Sequence, residues 1–174
     1  TTYFHSCAFD LVDNNKLVSM YTSSNNTYIK VGTVSGTSVS FGSAISVGAL
    51  GYTVGLVKAV GTSKFILLVD GTVKIGTISG SSMTVGTAVN LPWDSIEYPA
   101  MAVNPIDLTS FIVQYKGKNN SVNRRNGTMV AGTISGTSIT LGSYIEFFPQ
   151  NDTGARDHAI EFSPHSSGKF AYMY

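Results

Sequence analysis

Apolar and polar residues alternate along most of this chain with a period of two, in short runs broken by glycine, serine, threonine and asparagine. The alternation is clear at Val73 and Ile75, at Val39 and Phe41, and at Met83 and Val85; between such stretches lie mostly apolar runs of strand length, Lys16-Leu-Val-Ser-Met-Tyr21, Lys64-Phe-Ile-Leu-Leu-Val69, Ser110-Phe-Ile-Val-Gln-Tyr115 and Lys169-Phe-Ala-Tyr-Met-Tyr174. No window keeps apolar residues at i, i+3, i+4 and i+7. The pattern therefore predicts strands throughout and no helix.

One phrase recurs three times: Gly32-Thr-Val-Ser-Gly-Thr-Ser-Val39, Gly76-Thr-Ile-Ser-Gly-Ser-Ser-Met83 and Gly132-Thr-Ile-Ser-Gly-Thr-Ser-Ile139. Alternation runs into each Ser-Gly-[Thr/Ser]-Ser and resumes after it, which reads as a β-hairpin. Glycine supplies the positive φ of a tight turn, and the hydroxyls bond back to the local backbone. A further glycine (Gly42, Gly86, Gly142) falls at one fixed offset in the outgoing strand, where glycine marks a bulge or a close backbone approach. Each hairpin is preceded by another strand pair. Its first members align as Ser6–Asp10, Val54–Lys58, Ala100–Asn104 and Ala159–Ser163. Naming the four strands A to D, the chain reads ABCD, ABCD, ABCD, AB. Four-stranded units whose turn phrases start 44 and 56 residues apart predict a β-propeller of about three and a half blades. The blades fall near 3–47, 52–91, 98–147 and, as a half blade, 157–174. A β-solenoid or a sandwich is the alternative, but solenoid rungs are shorter and a sandwich does not repeat its turn phrase. The unfinished last pair predicts a fragment of a larger propeller or one piece of an assembly.

Composition narrows the function classes. Charged residues make up 12% of the chain, against about 25% in an average domain. The net charge is +1, which argues against a nucleic-acid binder that works through phosphate contacts. No apolar run is long enough for a membrane-crossing helix, so no membrane insertion is expected, and no signal peptide is read. The single cysteine, Cys7, aligns with Gly55, Met101 and Ile160 on strand A and is expected to be a buried core thiol. A surface of Ser, Thr, Asn and Gly suits extracellular and virion proteins. Four Asn-x-Ser/Thr acceptors, at Asn25, Asn119, Asn126 and Asn151, lie in predicted loops and are candidate glycosylation sites.

The loops predict where function sits. The A–B and C–D turns are short and alike. The B–C segments (Thr22–Asn26, Asp70–Gly71, Lys116–Gly127) and the D–A segments (Gly48–Gly51, Pro92–Glu97, Pro149–Arg156) differ, and alternating strand direction puts both kinds at one end of the blades. A rigid scaffold with varied loops at one end is a binding design. That end gathers Trp93, Asp94 and Glu97; Lys116, Arg124 and Arg125; and Arg156, Asp157 and His158. A tryptophan beside carboxylates and amides offers an apolar face for a sugar ring and polar forks for its hydroxyls. The competing reading has Trp93 filling a gap between blades. Catalysis has little support, because a glycosidase needs two carboxylates about 5–9.5 Å apart and the acids here are scattered. The three histidines lack metal-ligand spacing, and no motif calls for a cofactor.

The repeated phrase, followed by an apolar-x-apolar-Gly-[Ser/Thr] strand, resembles repeats of tail-fibre and other virion surface proteins of aquatic phages, and of some secreted repeat proteins. The resemblance covers most of the chain through its repeat units. It implies a propeller-like module on a particle or cell exterior that contacts a host or matrix glycan or a cell-surface receptor, together with other copies or further blades of the same assembly. It carries over no catalytic residue. A non-enzymatic glycan-binding module is therefore expected first, a structural subunit of a glycosylated extracellular filament second, and a propeller glycosidase third.

Overall fold

The computed structural model describes residues 5–49, 55–93, 95–119, 124–147, 159–166 and 168–173, and these residues are strands and connections without a helix. The first unit contains β1 (His5–Phe9), β2 (Lys16–Ser23) and β3 (Asn26–Ser35), with a fourth strand in two pieces, β4 (Ser38–Phe41) and β5 (Ile45–Ala49). The second unit repeats this as β6 (Leu56–Gly61), β7 (Lys64–Val69), β8 (Thr72–Ser79), β9 (Ser82–Val85) and β10 (Val89–Asn90). In the third, β11 (Ser95–Val103), β12 (Ser110–Asn119) and β13 (Arg124–Ser135) are followed by an unbroken β14 (Ser138–Glu146). A two-stranded sheet of β15 (Ala159–Phe162) and β16 (Phe170–Met173) comes last. All pairings are antiparallel, and both pieces of each broken fourth strand pair with the third strand.

The turns follow from their residues. Gly36, Gly80 and Gly136 take φ of 59°, 63° and 63° at the first turn position, and the residue after each is not left-handed. That is the conformation glycine permits at least cost. Ser24-Asn25 and Asp70-Gly71 are left-handed at both positions, the other two-residue hairpin geometry. No atom lies within 4 Å of a Cβ added at Gly80 or Gly136, so only the backbone resists a side chain there. Gly80→Val and Gly136→Val are each expected to cost about 1–3 kcal/mol, measured by denaturant unfolding. Full stability in either variant would contradict the turn assignment.

Alternation gives every sheet two faces, and the units stack face to face in chain order. Val18, Met20, Ile29 and Val31 of the first sheet pack against Val57, Phe65, Leu67 and Met83 of the second. Ile66, Leu68, Val73 and Ile75 on the far side of the second sheet meet Met101, Phe111, Val113 and Val130 of the third. Ile112 and Met129 on the far side of the third meet Ile160 and Phe162 of the last pair. Small repeated contacts lock the seams. Lys16 Nζ donates to the Gly80 carbonyl at 3.2 Å, and Lys64 Nζ to the Gly136 carbonyl at 3.4 Å. The bulge glycine Gly42 lies against the Ser81 carbonyl, and Gly86 lies near the Thr137 carbonyl.

Four expectations change. The A strand of the second unit is β6, two residues later than Val54–Lys58, so Cys7 corresponds to Val57 and not Gly55. Val57, Met101 and Ile160 are buried but Cys7 is exposed. It lies on the outer face of the first sheet, where Phe9, Val39 and Phe41 are also half exposed. The segment Lys116–Gly127 is not a long loop, since β12 and β13 pair from Ser110↔Thr133 to Asn119↔Arg124 and only residues 120–123 intervene. Thr22–Asn26 is likewise strand around a two-residue turn.

Candidate functional site

The connection from the second sheet to the third is tied down along its length. Leu91 N donates to the Gly71 carbonyl at 2.8 Å, and the Tyr115 hydroxyl donates to the Pro92 carbonyl at 3.0 Å. Tyr115 is fully buried. Burial first, and the neighbouring Tyr144 second, hold its hydroxyl far above the ordinary tyrosine range, so it remains a donor at every physiological pH. The next residue, Trp93, is held at φ 88°. That conformation costs a bulky residue about 1–3 kcal/mol and persists only where the surroundings dictate it.

The indole lies on Gly117 of β12. A Cβ built at Gly117 would stand 2.7 Å from indole Cδ1 and Cγ, so the missing side chain makes room for the ring. Tyr144 meets the indole edge-on, with centroids 6.0 Å apart and planes at 67°. Trp93 is half buried against the core shared by the second and third sheets. Its Nε1 is buried and, among the described residues, has no hydrogen-bond partner. Leaving such a donor unpaired costs about 1–3 kcal/mol.

Polar groups stand beside the ring pair. Asn126 is the cross-strand partner of Gly117, and its Nδ2 donates to Glu146 Oε2 at 2.6 Å. Glu146 and Tyr144 are two residues apart on β14, hence on one face, and both are exposed. Tyr98, at φ 51° beside the register shift between Glu97 and Ala100, is 43% exposed.

The predicted site is thus partly assembled and partly divided. Glu97 and Lys116 are direct cross-strand partners, but alternation puts them on the sheet face opposite Trp93. Lys116 is 3% exposed. On that same face Phe147 covers Gly127 and tilts against Tyr172, with centroids 5.5 Å apart. The fully buried Gln114 also lies there; its Nε2 donates to the Met173 carbonyl at 3.3 Å, while Oε1 has no partner among the described residues. Arg124 and Arg125 are placed on β13 by their backbone alone. Asp94, Arg156, Asp157 and His158 lie outside the described residues. Of the acceptor asparagines, Asn25 is exposed in its turn, Asn119 ends β12 and Asn151 lies outside the described residues. Asn126 is in a strand and not a loop. It is 1% exposed with its Nδ2 engaged, so the folded chain presents no acceptor nitrogen there.

Tyr144, Glu146 and Tyr98 escaped the sequence reading, although the repeat held a signal for the first two. After the bulge glycine the units read Gly42-Ser-Ala-Ile-Ser46, Gly86-Thr-Ala-Val-Asn90 and Gly142-Ser-Tyr-Ile-Glu146. Tyr144 and Glu146 are departures from Ala and from Ser or Asn. Among the described residues, no group of His, Cys, Asp or Glu could hold a metal ion. No model of a known protein family matches the chain, and no curated protein matches it.

Proposed function

We propose that this chain is a non-enzymatic binding module, a run of β-propeller blades displayed on a virion or outside the cell, which takes a saccharide at the end carrying Trp93, Tyr144, Asn126 and Glu146. The observation that carries this reading is Trp93. It is held in a strained backbone conformation, with an unpaired indole N–H, beside an exposed tyrosine and a carboxylate–amide pair. Packing alone demands neither the strain nor the unpaired donor, whereas ring stacking plus polar forks is what a sugar requires. Low charge and a hydroxyl-rich surface support an exterior location. Successive four-stranded sheets stacked through one repeated seam support the propeller.

Trp93 is the only tryptophan, so its fluorescence reports the site directly. Titration with neutral and acidic oligosaccharides is expected to give a saturable change in emission for at least one class. Tyr144→Ala should abolish that change while lowering stability by only about 1 kcal/mol, because Tyr144 is 46% exposed. Saturable binding that survives Tyr144→Ala would move the site elsewhere. Silence across the panel would favour a structural subunit, the reading supported by the apolar outer face of the first sheet.

A further inference from the structure

We infer that the hollow on which the A strands of the four units converge binds a small zwitterion whose ammonium and carboxylate are held apart by an apolar stretch, as in an ω-amino acid. This is independent of the saccharide reading, because the hollow lies toward the A–B turns, at the other end of the units from Trp93. It measures about 260 Å³ and takes one equivalent residue from every unit: Ala8, Lys58, Ala102 and Glu161. Their equivalence follows from the register, in which they pair with Val18, Ile66, Ile112 and Ala171 of the four B strands. One strand position thus reads Ala, Lys, Ala, Glu around the hollow. The alanines leave room, and the charges of opposite sign alternate with them.

The A strands are neighbours in chain order, β1 beside β6, β6 beside β11 and β11 beside β15. Lys58 and Glu161 therefore stand on either side of β11. Packed sheets lie about 10 Å apart, so the two backbones are at most about 20 Å apart. Their side chains line one hollow, which narrows the gap to the length of a short alkyl chain with charged ends. The rest of the lining is apolar: Phe9 and Leu11 of the first unit, Ala59 of the second, and Val103, Pro105 and Leu108 of the third. The volume falls below the range of about 300–1,000 Å³ typical of drug-sized ligands, so the occupant is small.

Both charged residues are exposed, and among the described residues neither side chain makes a hydrogen bond or ion pair. Other charges at this end serve the fold. Asp10, Asp13 and Asp107 accept from backbone N–H groups of their own turns, and Lys16 and Lys64 donate to carbonyls of the next unit. Lys58 and Glu161 hold no turn and no seam. An apolar hollow with an unengaged cation on one wall and an unengaged anion on the opposite wall is complementary to a zwitterion. The ligand's carboxylate meets Lys58, its ammonium meets Glu161, and its methylenes cover Ala102 and Val103. A singly charged ligand leaves one wall unanswered.

The test is a calorimetric titration of the whole protein with 6-aminohexanoate at low salt. The expected result is saturation with a Kd of about 1 mM or below, and binding weaker by about tenfold or more for hexanoate and for hexylamine, which each lack one charge. Lys58→Glu and Glu161→Lys should each weaken binding about tenfold or more. The variant carrying both changes should recover to within about threefold, because a zwitterion can bind turned end for end. Both residues are exposed, so these variants fold. Tyr144→Ala should leave the titration unchanged. No saturation by about 10 mM, equal binding of either singly charged analogue, no recovery in the double variant, or loss of binding in Tyr144→Ala would each overturn the inference.

Discussion

Gly42→Ala is expected to destabilise the protein by about 3 kcal/mol, at the upper end of what one added methyl costs in a packed seam. Gly42 does not take a positive φ, so alanine meets no left-handed backbone penalty. What it meets is the main-chain carbonyl of Ser81, far inside contact distance, and a carbonyl held in a hairpin of the next unit cannot rotate away. Among the described residues the units pack on one another in chain order, so straining this seam loosens the first unit from the rest. The same substitution at the equivalent positions gives a graded control. At Gly86 the nearest atoms are the carbonyls of Thr137 and Ile75, at 3.3 and 3.4 Å, and a loss of about 1 kcal/mol is expected. At Gly142 the nearest is at 3.5 Å, and alanine should be neutral or stabilising by about 0.5 kcal/mol through the unfolded chain. Denaturant midpoints of the three variants check the order. Equal losses would mean that the glycines serve local strand geometry and not the seams.

The units were legible in the sequence because the turn phrase is local chemistry, with glycine where φ is positive and a bulge glycine at a fixed offset. The second A strand was misplaced by two residues for an equally physical reason. A slip of two leaves every side chain on its original face, so alternation cannot detect it, and the irregular register between Ala59 and Gly61 removes the other landmark. Cys7 was misjudged because burial at its position is set by the neighbouring unit, and the residues of a strand do not reveal whether a neighbour covers it. The site was read as a cluster of loops when much of it is strand. Lys116 and Glu97 were grouped with Trp93 because their segments fall at one end of the units, but the sheet divides them. Tyr144 and Glu146 were absent from that grouping, although their break with the repeat marks them.

Asp10 ties the first two units together, and its removal is expected to cost about 3 kcal/mol. The side chain is 3% exposed. Its Oδ1 accepts from Val12 N at 2.8 Å and Asp13 N at 3.0 Å, closing its own turn, and Oδ2 accepts from Ser63 N at 2.5 Å in the next unit. Burial pulls the carboxyl's pKa upward, but the N–H donors of Asp13, Val12 and Ser63 outweigh it, and the group stays below the ordinary aspartate value. Bonds to a charged acceptor contribute about 1.5–3 kcal/mol each at most, and a buried N–H left without one costs a similar amount. Asp10→Ala removes the shared acceptor of three part-buried hydrogen bonds. Because the folded pKa is depressed, this stabilisation is fully present above the unfolded aspartate value near pH 4 and fades as pH falls from there through the folded value. Unfolding measured from pH 7 down to pH 2 should therefore show the wild type approaching Asp10→Ala as the carboxyl protonates, with the gap widest at neutral pH. Asp107 is also held below its ordinary value, burial again being outweighed, here by donors from Thr109 and Ser110. It remains in both proteins, so it steepens both acid limbs without changing the gap. A gap independent of pH would mean that Asp10 contributes through packing and not through its charge.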